Sequence, residues 1–501
     1  MTEALAPIQQ SAPSRVRVSR ARVAIRLVYL LWTLAVFATP LALEAIRGRL
    51  ARRGWLGPSR VPTADRMQRH GARLRRWLLA LGPTFIKTGQ MLATRADLLP
   101  VEVMRELALL HDQVPPFSDR QAFAIIERST GRPLGDIFSE ISEGPIAAAS
   151  LGQVYRATLR ATGLDVAVKV RRPGLARRVA VDMAVLKRVA RVIESLEHRA
   201  EQYPWLTWLR GEWYGSVVEF ERVISEEMNY RLEAASATRF RNNFASWSDV
   251  LVPRIVDEYT SERLIVMDFI EGTKVTDLDG LRARGLSPRL LNELLYRTYF
   301  KQLFEDGFFH ADPHPGNLLV TRDGRLAFFD FGMSGVIDDA LRGRIVTTFF
   351  HLLDRDIDGI VDDLFALEFL PEGADVTGLH DVVAEAFARR LEVKLSDVRL
   401  AEMVYDLAPV VYSYPFTTPA RFTFLIRALM TLEGISVQMN PDFNFFAVAG
   451  PYARGFLLRK ESATLRSQVL QSMRDASSGR LEWQRIWRIA KTAYTLYAGS
   501  K

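Results

Sequence analysis

The segment His310-Ala311-Asp312-Pro313-His314-Pro315-Gly316-Asn317, followed shortly by Phe329-Asp330-Phe331-Gly332, constrains this chain more than any other feature. An aspartate with an asparagine five positions on puts a proton acceptor and a metal-binding amide on one loop. The aspartate of the second element supplies a carboxylate that can hold Mg²⁺ against phosphates. Gly324 allows a short turn between the two elements. In this order they are the parts that phosphoryl transfer requires.

Histidines four apart on a helix can bind zinc, but the two prolines make a helix improbable over His310 to His314. A histidine just before such an aspartate holds its loop by packing and hydrogen bonding. Upstream, Val166-Ala167-Val168-Lys169 has the form of a strand that carries a lysine to the α and β phosphates of a nucleotide. The β-rich runs Gln153 to Leu159 and Asp165 to Val170, separated by Ala161-Thr162-Gly163, read as a β-hairpin. The lysine needs a carboxylate from a helix. Glu233 is the best candidate; Glu226 and Glu227 compete, against the plainer reading of a solvated helix face.

Where a protein kinase has a glycine-rich loop, this chain has Ala147-Ala148-Ala149-Ser150-Leu151-Gly152. Alanine restricts both positive φ and close approach to phosphate, so this lid should grip a nucleotide differently. His314 stands where protein serine/threonine kinases carry a lysine. The expected fold is α+β, kinase-like and two-lobed, with a helical N-terminal extension and a mainly helical C-terminal region.

A chain of 501 residues has room for about three units of roughly 150 residues. With 48% hydrophobic and 25% charged residues it is an ordinary globular sequence. The absence of cysteine excludes a disulfide framework, a thiolate metal site and a cysteine nucleophile, and suits a reducing compartment. Helical spacing runs from Arg66 to Leu110, broken at Gly82-Pro83 and closed by Pro115-Pro116. A helix-rich stretch covers Arg177 to Asn243, a strand covers Arg263 to Ile270, and helical spacing returns from Leu290 to Phe304. The expected organisation is a basic N-terminus over 1–60, a helical extension over 61–130, an N-lobe with a helical insert over 131–272, a C-lobe over 273–400 and a helical region over 401–501.

The net charge of +8 implies an anionic partner, and its distribution favours a membrane surface over nucleic acid. Arg15, Arg17, Arg20, Arg22 and Arg26 precede an uncharged run from Leu27 to Leu43, and Arg47, Arg49, Arg52 and Arg53 follow. The run lies near the lower limit of about 17 residues for a span, and Pro40 shortens it, so it reads either as a span or as an interfacial helix. Glu44 spoils the cleavage pattern a signal peptide would need, and arginines on both sides leave orientation open. Near the other end, Trp483, Ile486, Trp487, Ala490, Tyr494 and Tyr497 share a helical face opposite Gln484, Arg485, Arg488 and Lys491. That pattern fits a lipid surface and a helix docked on its own domain equally.

Phe85-Ile86-Lys87-Thr88-Gly89-Gln90, followed by Thr94-Arg95-Ala96-Asp97-Leu98-Leu99-Pro100, is similar to the lysine-x-glycine-glutamine extension of the UbiB/ADCK (AarF-type) atypical kinase-like family. With the alanine-rich loop and the motifs above, the chain resembles that family from roughly Leu81 to Gly335. The resemblance implies that the extension lies across the active site, with Lys87 and Gln90 gating access and Lys87 held by acidic residues near Glu227 and Glu233. It implies ATP and Mg²⁺ as cofactors. Lys169 would meet the phosphates, oriented by Glu233; Asn317 and Asp330 would hold Mg²⁺, and Asp312 would accept a proton. Ala147, Ala148, Ala149, Ser150 and Met267 would line the nucleotide.

The resemblance further implies ATPase or small-molecule kinase chemistry and a link to ubiquinone or other isoprenoid-quinone biosynthesis. Its partners would be an isoprenoid or quinone-like lipid and proteins of quinone biosynthesis. The chain would be attached to a membrane, the inner one in a bacterium, with its active domain in the cytoplasm. One departure is that the family's Glu-x-Asp reads Glu227-Met228-Asn229 here, which removes a charge facing the extension. The pair of C-terminal membrane helices that some bacterial relatives carry is not found, so the candidate anchor is N-terminal. Two rival readings are a non-catalytic, nucleotide-switched lipid-binding scaffold, which would tolerate loss of Asp312, and a conventional protein kinase, which the alanine loop, His314 and the extension disfavour.

Overall fold

The computed structural model describes residues 18–52, 63–93, 99–110, 114–200, 212–354, 356–371, 373–388 and 420–440, with positions 414, 416, 443, 448 and 452. Arg15, Arg17, Arg53, residues 94–98 of the extension and the amphipathic pattern over Trp483 to Tyr497 lie outside the described residues. The chain divides into two units, residues 1–235 with 254–269, and residues 236–253 with 270–501.

In the first unit, α1 (Arg20–Arg52) contains the uncharged run and continues through Pro40, giving up one backbone hydrogen bond there. α2 (Thr63–Leu81) ends at Gly82, which takes φ 98°, and Pro83 then opens α3 (Pro83–Leu92) where a missing N–H costs nothing. α4 (Val101–Ala108) packs on both through Leu78, Ile86, Val103 and Leu107, with Leu110 just beyond it. A Cβ on Gly89 would come within 2.5 Å of Leu110 Cδ1 and 2.7 Å of Leu78 Cδ1, so this close approach requires glycine.

α5 (Asp119–Thr130) and the single turn α6 (Leu134–Ile137) lead into a twisted antiparallel sheet. Its strands are β1 (Phe138–Ile141), β2 (Ala147–Ala148), β3 (Gly152–Leu159), β4 (Asp165–Arg171) and β6 (Leu264–Asp268), while β5 (Val250–Leu251) belongs to the second unit. The order is β1-β3-β4-β6, with β2 paired to β3. Val166, Val168 and Val170 alternate onto the face that packs with Ala122 and Ile126 of α5, and this places Lys169 on the other face. The helical insert comprises α7 (Leu175–Ala200), α8 (Trp213–Glu227) and the first residues of α9 (Tyr230–Asn243). Asn229 separates α8 from α9, and its side-chain oxygen accepts the Arg231 N–H at 3.2 Å.

In the second unit, β7 (Thr273–Lys274) precedes α10 (Leu278–Ala283), which is capped by Asp277, and α11 (Pro288–Phe300), which is capped by Ser287. A wider helical turn over Lys301–Asp306 ends at Gly307, whose φ is 57°. β8 (Phe308–His310), β9 (Leu318–Val320), β10 (Leu326–Phe328) and β11 (Ser334–Val336) follow. One sheet runs β5-β10-β9-β7, and β8 pairs separately with β11. α12 (Asp339–Asp354), α13 (Ile357–Ala366), α14 (Leu379–Ala388) and α15 (Ala420–Met439) complete the described elements. A small sheet with helices in one unit and a mainly helical second unit is the α+β arrangement that the motifs predict.

Candidate active site

On β4, the Lys169 Nζ donates to Glu233 Oε1 at 2.7 Å and lies 5.3 Å from the centroid of the Tyr230 ring. Glu233 sits in the first turn of α9 and is buried, so each charge compensates the other where neither is well solvated. Glu227, at the end of α8, is buried as well, and its partner is Lys87 of α3, with Nζ to Oε1 at 2.6 Å. Glu226 faces outward and pairs with Arg222 at 2.7 Å. The three carboxylates that compete in the sequence therefore go to three different bases: Glu226 and Glu227 project from α8 about 100° apart, and the break at Asn229 re-aims the chain before Glu233 on α9.

Gln90, one turn beyond Lys87 on α3, donates to the Leu110 carbonyl at 2.9 Å, and its side-chain oxygen accepts the Ser150 hydroxyl at 3.5 Å. The extension thus touches the alanine-rich loop. Ala147 and Ala148 pair with Val154 and Gln153 on β3, and the Ala149 N–H donates to the Gly152 carbonyl at 2.8 Å. The guanidinium of Arg172 donates to the Ala149 carbonyl at 3.1 Å and to the Pro115 carbonyl at 2.6 Å, fastening the loop from outside. A Cβ on Gly152 would lie 2.2 Å from the Tyr230 hydroxyl, so this residue lets the loop close against α9. Met267 is buried on β6 opposite Ala167 of β4.

Beneath the loop, fully buried Gln153 accepts the Phe117 N–H at 2.9 Å and donates to the Phe117 carbonyl at 3.1 Å. It also bonds the hydroxyl of Tyr155, which donates to Asp119 at 2.5 Å. Burial first, then Asp119, pushes the Tyr155 phenol well above its ordinary value.

In the second unit, Asp312 and Asn317 share the loop between β8 and β9, where Asn317 Nδ2 donates to the Asp312 carbonyl at 3.0 Å. The amide oxygen is therefore the Asn317 group suited to a cation. The Asp330 Oδ1 accepts the Gly332 N–H at 3.0 Å, which fixes the carboxylate. Amide oxygen and carboxylate are hard donors of the kind Mg²⁺ takes.

His310 is fully buried. Its Nδ1 accepts the Asp312 N–H at 3.1 Å, so Nε2 carries the proton and donates to the Asp330 carbonyl. With both ring nitrogens engaged in tying the two aspartates' backbones together, a zinc role is excluded. Desolvation holds the imidazole below the ordinary histidine value, partly offset by the charges of Asp312 and Asp330. His314 accepts the Gly316 N–H at 3.1 Å and so shapes the same loop.

Phe331 packs with its centroid 5.0 Å from Phe240, which also meets Phe308 at 5.1 Å. Tyr299 donates to the His310 carbonyl at 3.2 Å, while Arg427 of α15 donates to the Ala311 carbonyl at 3.0 Å. Burial, then the charge of Asp312, raises the Tyr299 phenol well above its usual value. Sequence reasoning missed Arg172, Gln153, Tyr299 and Arg427. Only Gln153 carried a signal, as a polar residue on the strand face it shares with Tyr155, Ala157 and Leu159.

The lysine–glutamate pair on a small antiparallel sheet and the aspartate–asparagine loop followed by a fixed Asp-Phe-Gly element define a kinase-like protein. Residues 109–364 match the ABC1 atypical kinase-like domain, and residues 383–444 match the UbiB helical domain. The chain belongs to this ABC1/UbiB family of atypical kinase-like proteins. ACTIVITY OF BC1 COMPLEX KINASE 3, chloroplastic, of Arabidopsis thaliana is 36% identical over 461 residues, which cover 92% of this chain and 62% of that protein. The uncharacterized protein sll1770 of Synechocystis is 40% identical over 397 residues, covering 78% and 66% respectively. The chain thus spans about two thirds or less of the length of these relatives. A solved structure of an Rv3197–erythromycin complex from Mycobacterium tuberculosis superposes with a TM-score of 0.51 at 22% identity, over 75% of this chain and 94% of that one. That likeness shows the two-lobed, kinase-like α+β fold.

Proposed function

We propose that this chain is a membrane-associated, ATP-binding atypical kinase or ATPase that supports ubiquinone or other isoprenoid-quinone biosynthesis, or the handling of isoprenoid lipids. The carrying observation is that His310 ties the backbones of Asp312 and Asp330 together, while Asn317 donates to the Asp312 carbonyl and the Gly332 N–H fixes the Asp330 carboxylate. Membership of a kinase-like family, with relatives named as kinases, supports the same class of chemistry.

In this reading Lys169, oriented by Glu233, meets the α and β phosphates of ATP, and Asn317 and Asp330 hold Mg²⁺. Bound Mg²⁺ supplies neutralisation of phosphate charge. Asp312 accepts the proton of the attacking hydroxyl or water. Ala147, Ala148, Ala149, Ser150 and Met267 border the nucleotide. Lys87, Gln90 and Glu227 restrict access, which favours a small or lipid-borne acceptor over a protein. The membrane part of the proposal rests on α1, whose segment Arg20–Pro40 has the length and mean hydropathy of 1.7 of a membrane-associating helix and is only 11% buried.

The test is a profile of isoprenoid quinones and their intermediates in cells lacking this chain, complemented with wild type or with Asp330→Asn. Loss of a quinone with accumulation of an intermediate, rescued by wild type alone, is expected. An unchanged profile overturns the quinone assignment.

A further inference from the structure

We infer that α1 is an in-plane docking surface for an anionic lipid bilayer and not a transmembrane span. This deepens the proposal of membrane association and rests on it. Val23, Arg26, Leu30, Thr33 and Phe37 recur at helical spacing and form the more buried stripe of α1.

The contacts along that stripe are specific. Arg26 Nε pairs at 2.6 Å with Oδ1 of Asp182, a fully buried carboxylate of α7 that also accepts the Thr84 hydroxyl of α3 at 2.6 Å. Arg26 Nη2 donates to the Leu81 carbonyl at 2.7 Å, and Phe37 stacks on Trp77 of α2 at 4.9 Å between centroids.

From Arg26 to Phe37 the helix axis advances about 16 Å, roughly half the thickness of a hydrocarbon core. Over that length α1 is held to α2, which carries Arg66, Arg69, Arg73, Arg75 and Arg76. A helix with five arginines does not enter hydrocarbon beside its partner, so α1 stays at the surface of the bilayer.

The opposite face is apolar and open. Ile25 is 70% exposed and Trp32 61%, and Val28, Leu31 and Val36 lie with them. A helix facing water carries polar residues there, whereas none of Leu27 to Leu43 is charged. The arginines decide what covers this face. Arg20 and Arg22 are exposed at its start, which matches anionic headgroups beside an apolar strip. Trp32 suits the boundary between headgroup and acyl chain.

The native chain has no cysteine, so Ile25→Cys, Val28→Cys, Trp32→Cys and Val36→Cys can each take one environment-sensitive fluorophore, with Arg120→Cys on α5 as a control. The full chain is mixed with vesicles of phosphatidylcholine, with or without phosphatidylglycerol, that contain quenchers at shallow or deep acyl positions. The expected result is a response at all four α1 positions with the anionic vesicles, stronger shallow than deep quenching at each, and none at the control. Trp32→Glu should weaken partition roughly tenfold.

Shallow quenching at residue 25 that gives way to deep quenching by residue 32 identifies a span and overturns the inference while sparing membrane association. No response from a folded chain overturns both. A response without vesicles that grows with protein concentration assigns the face to a second copy and overturns the lipid inference.

Discussion

Lys87 and Glu227 meet at 2.6 Å where each residue is less than a tenth exposed, so the extension is pinned by a pair that has little water to fall back on. Lys87→Ala should leave the carboxylate buried without its compensating charge and cost about 3–5 kcal/mol. Lys87→Met with Glu227→Leu should recover most of that. Denaturant unfolding of the two variants checks this, and equal stability of both with wild type would show that the pair contributes nothing.

Asp330→Asn removes the carboxylate that Gly332 fixes in place. Calorimetric titration with Mg-ATP should lose its signal while the far-ultraviolet dichroism stays native. Unchanged affinity in the folded variant would remove Asp330 from the nucleotide site.

Among the described residues only Glu368 has positive φ without being glycine, so Ala149 holds ordinary backbone geometry while Arg172 grips its carbonyl. Ala149→Gly should open conformations that let the loop wrap a γ-phosphate. Paired titrations should show tighter ATP binding relative to ADP, by about tenfold or about 1.4 kcal/mol. An unaltered ratio would make the alanines a packing feature.

His310 is held neutral in the folded chain, below the ordinary histidine value. As pH falls below about 6.5 the unfolded chain takes up a proton that the native one refuses. This contribution to stability is therefore full above about pH 6.5 and declines by about 1.4 kcal/mol per unit below it, until the folded value is reached. Denaturant midpoints of wild type and His310→Gln between pH 7.5 and 5 should converge as the pH falls. Parallel curves would contradict the assignment.

What the sequence disclosed was local. The hairpin of β3 and β4 shows as alternation around Ala161-Thr162-Gly163, and Gly82-Pro83 marks the break between α2 and α3 through backbone chemistry alone. The helical spacing of Leu290 to Phe304 does not reveal that α11 gives way at Lys301. There Lys301 pairs with Asp306 at 2.5 Å and Gln302 takes the His310 N–H at 2.9 Å, contacts that reset the turn. β5 and β7 have two residues each, too few for alternation to register. Arg427 reaches a carbonyl 116 residues away, which no periodicity encodes. Arg26 reads as one of several flanking arginines, and only the fold brings Asp182 to it. The carboxylates of Glu226, Glu227 and Glu233 were visible as a group, but their partners depend on which face of α8 each of the first two takes and on the break at Asn229 before the third.

The most direct measurement is phosphate release from Mg-ATP by vesicle-bound wild type and Asp312→Asn, with nucleotide affinity determined in parallel. Loss of the proton acceptor should reduce turnover by about 10²–10⁴-fold while affinity stays within about twofold. Equal turnover of the two proteins, with nucleotide bound to both, would contradict a catalytic role for Asp312 and leave a nucleotide-switched scaffold in its place.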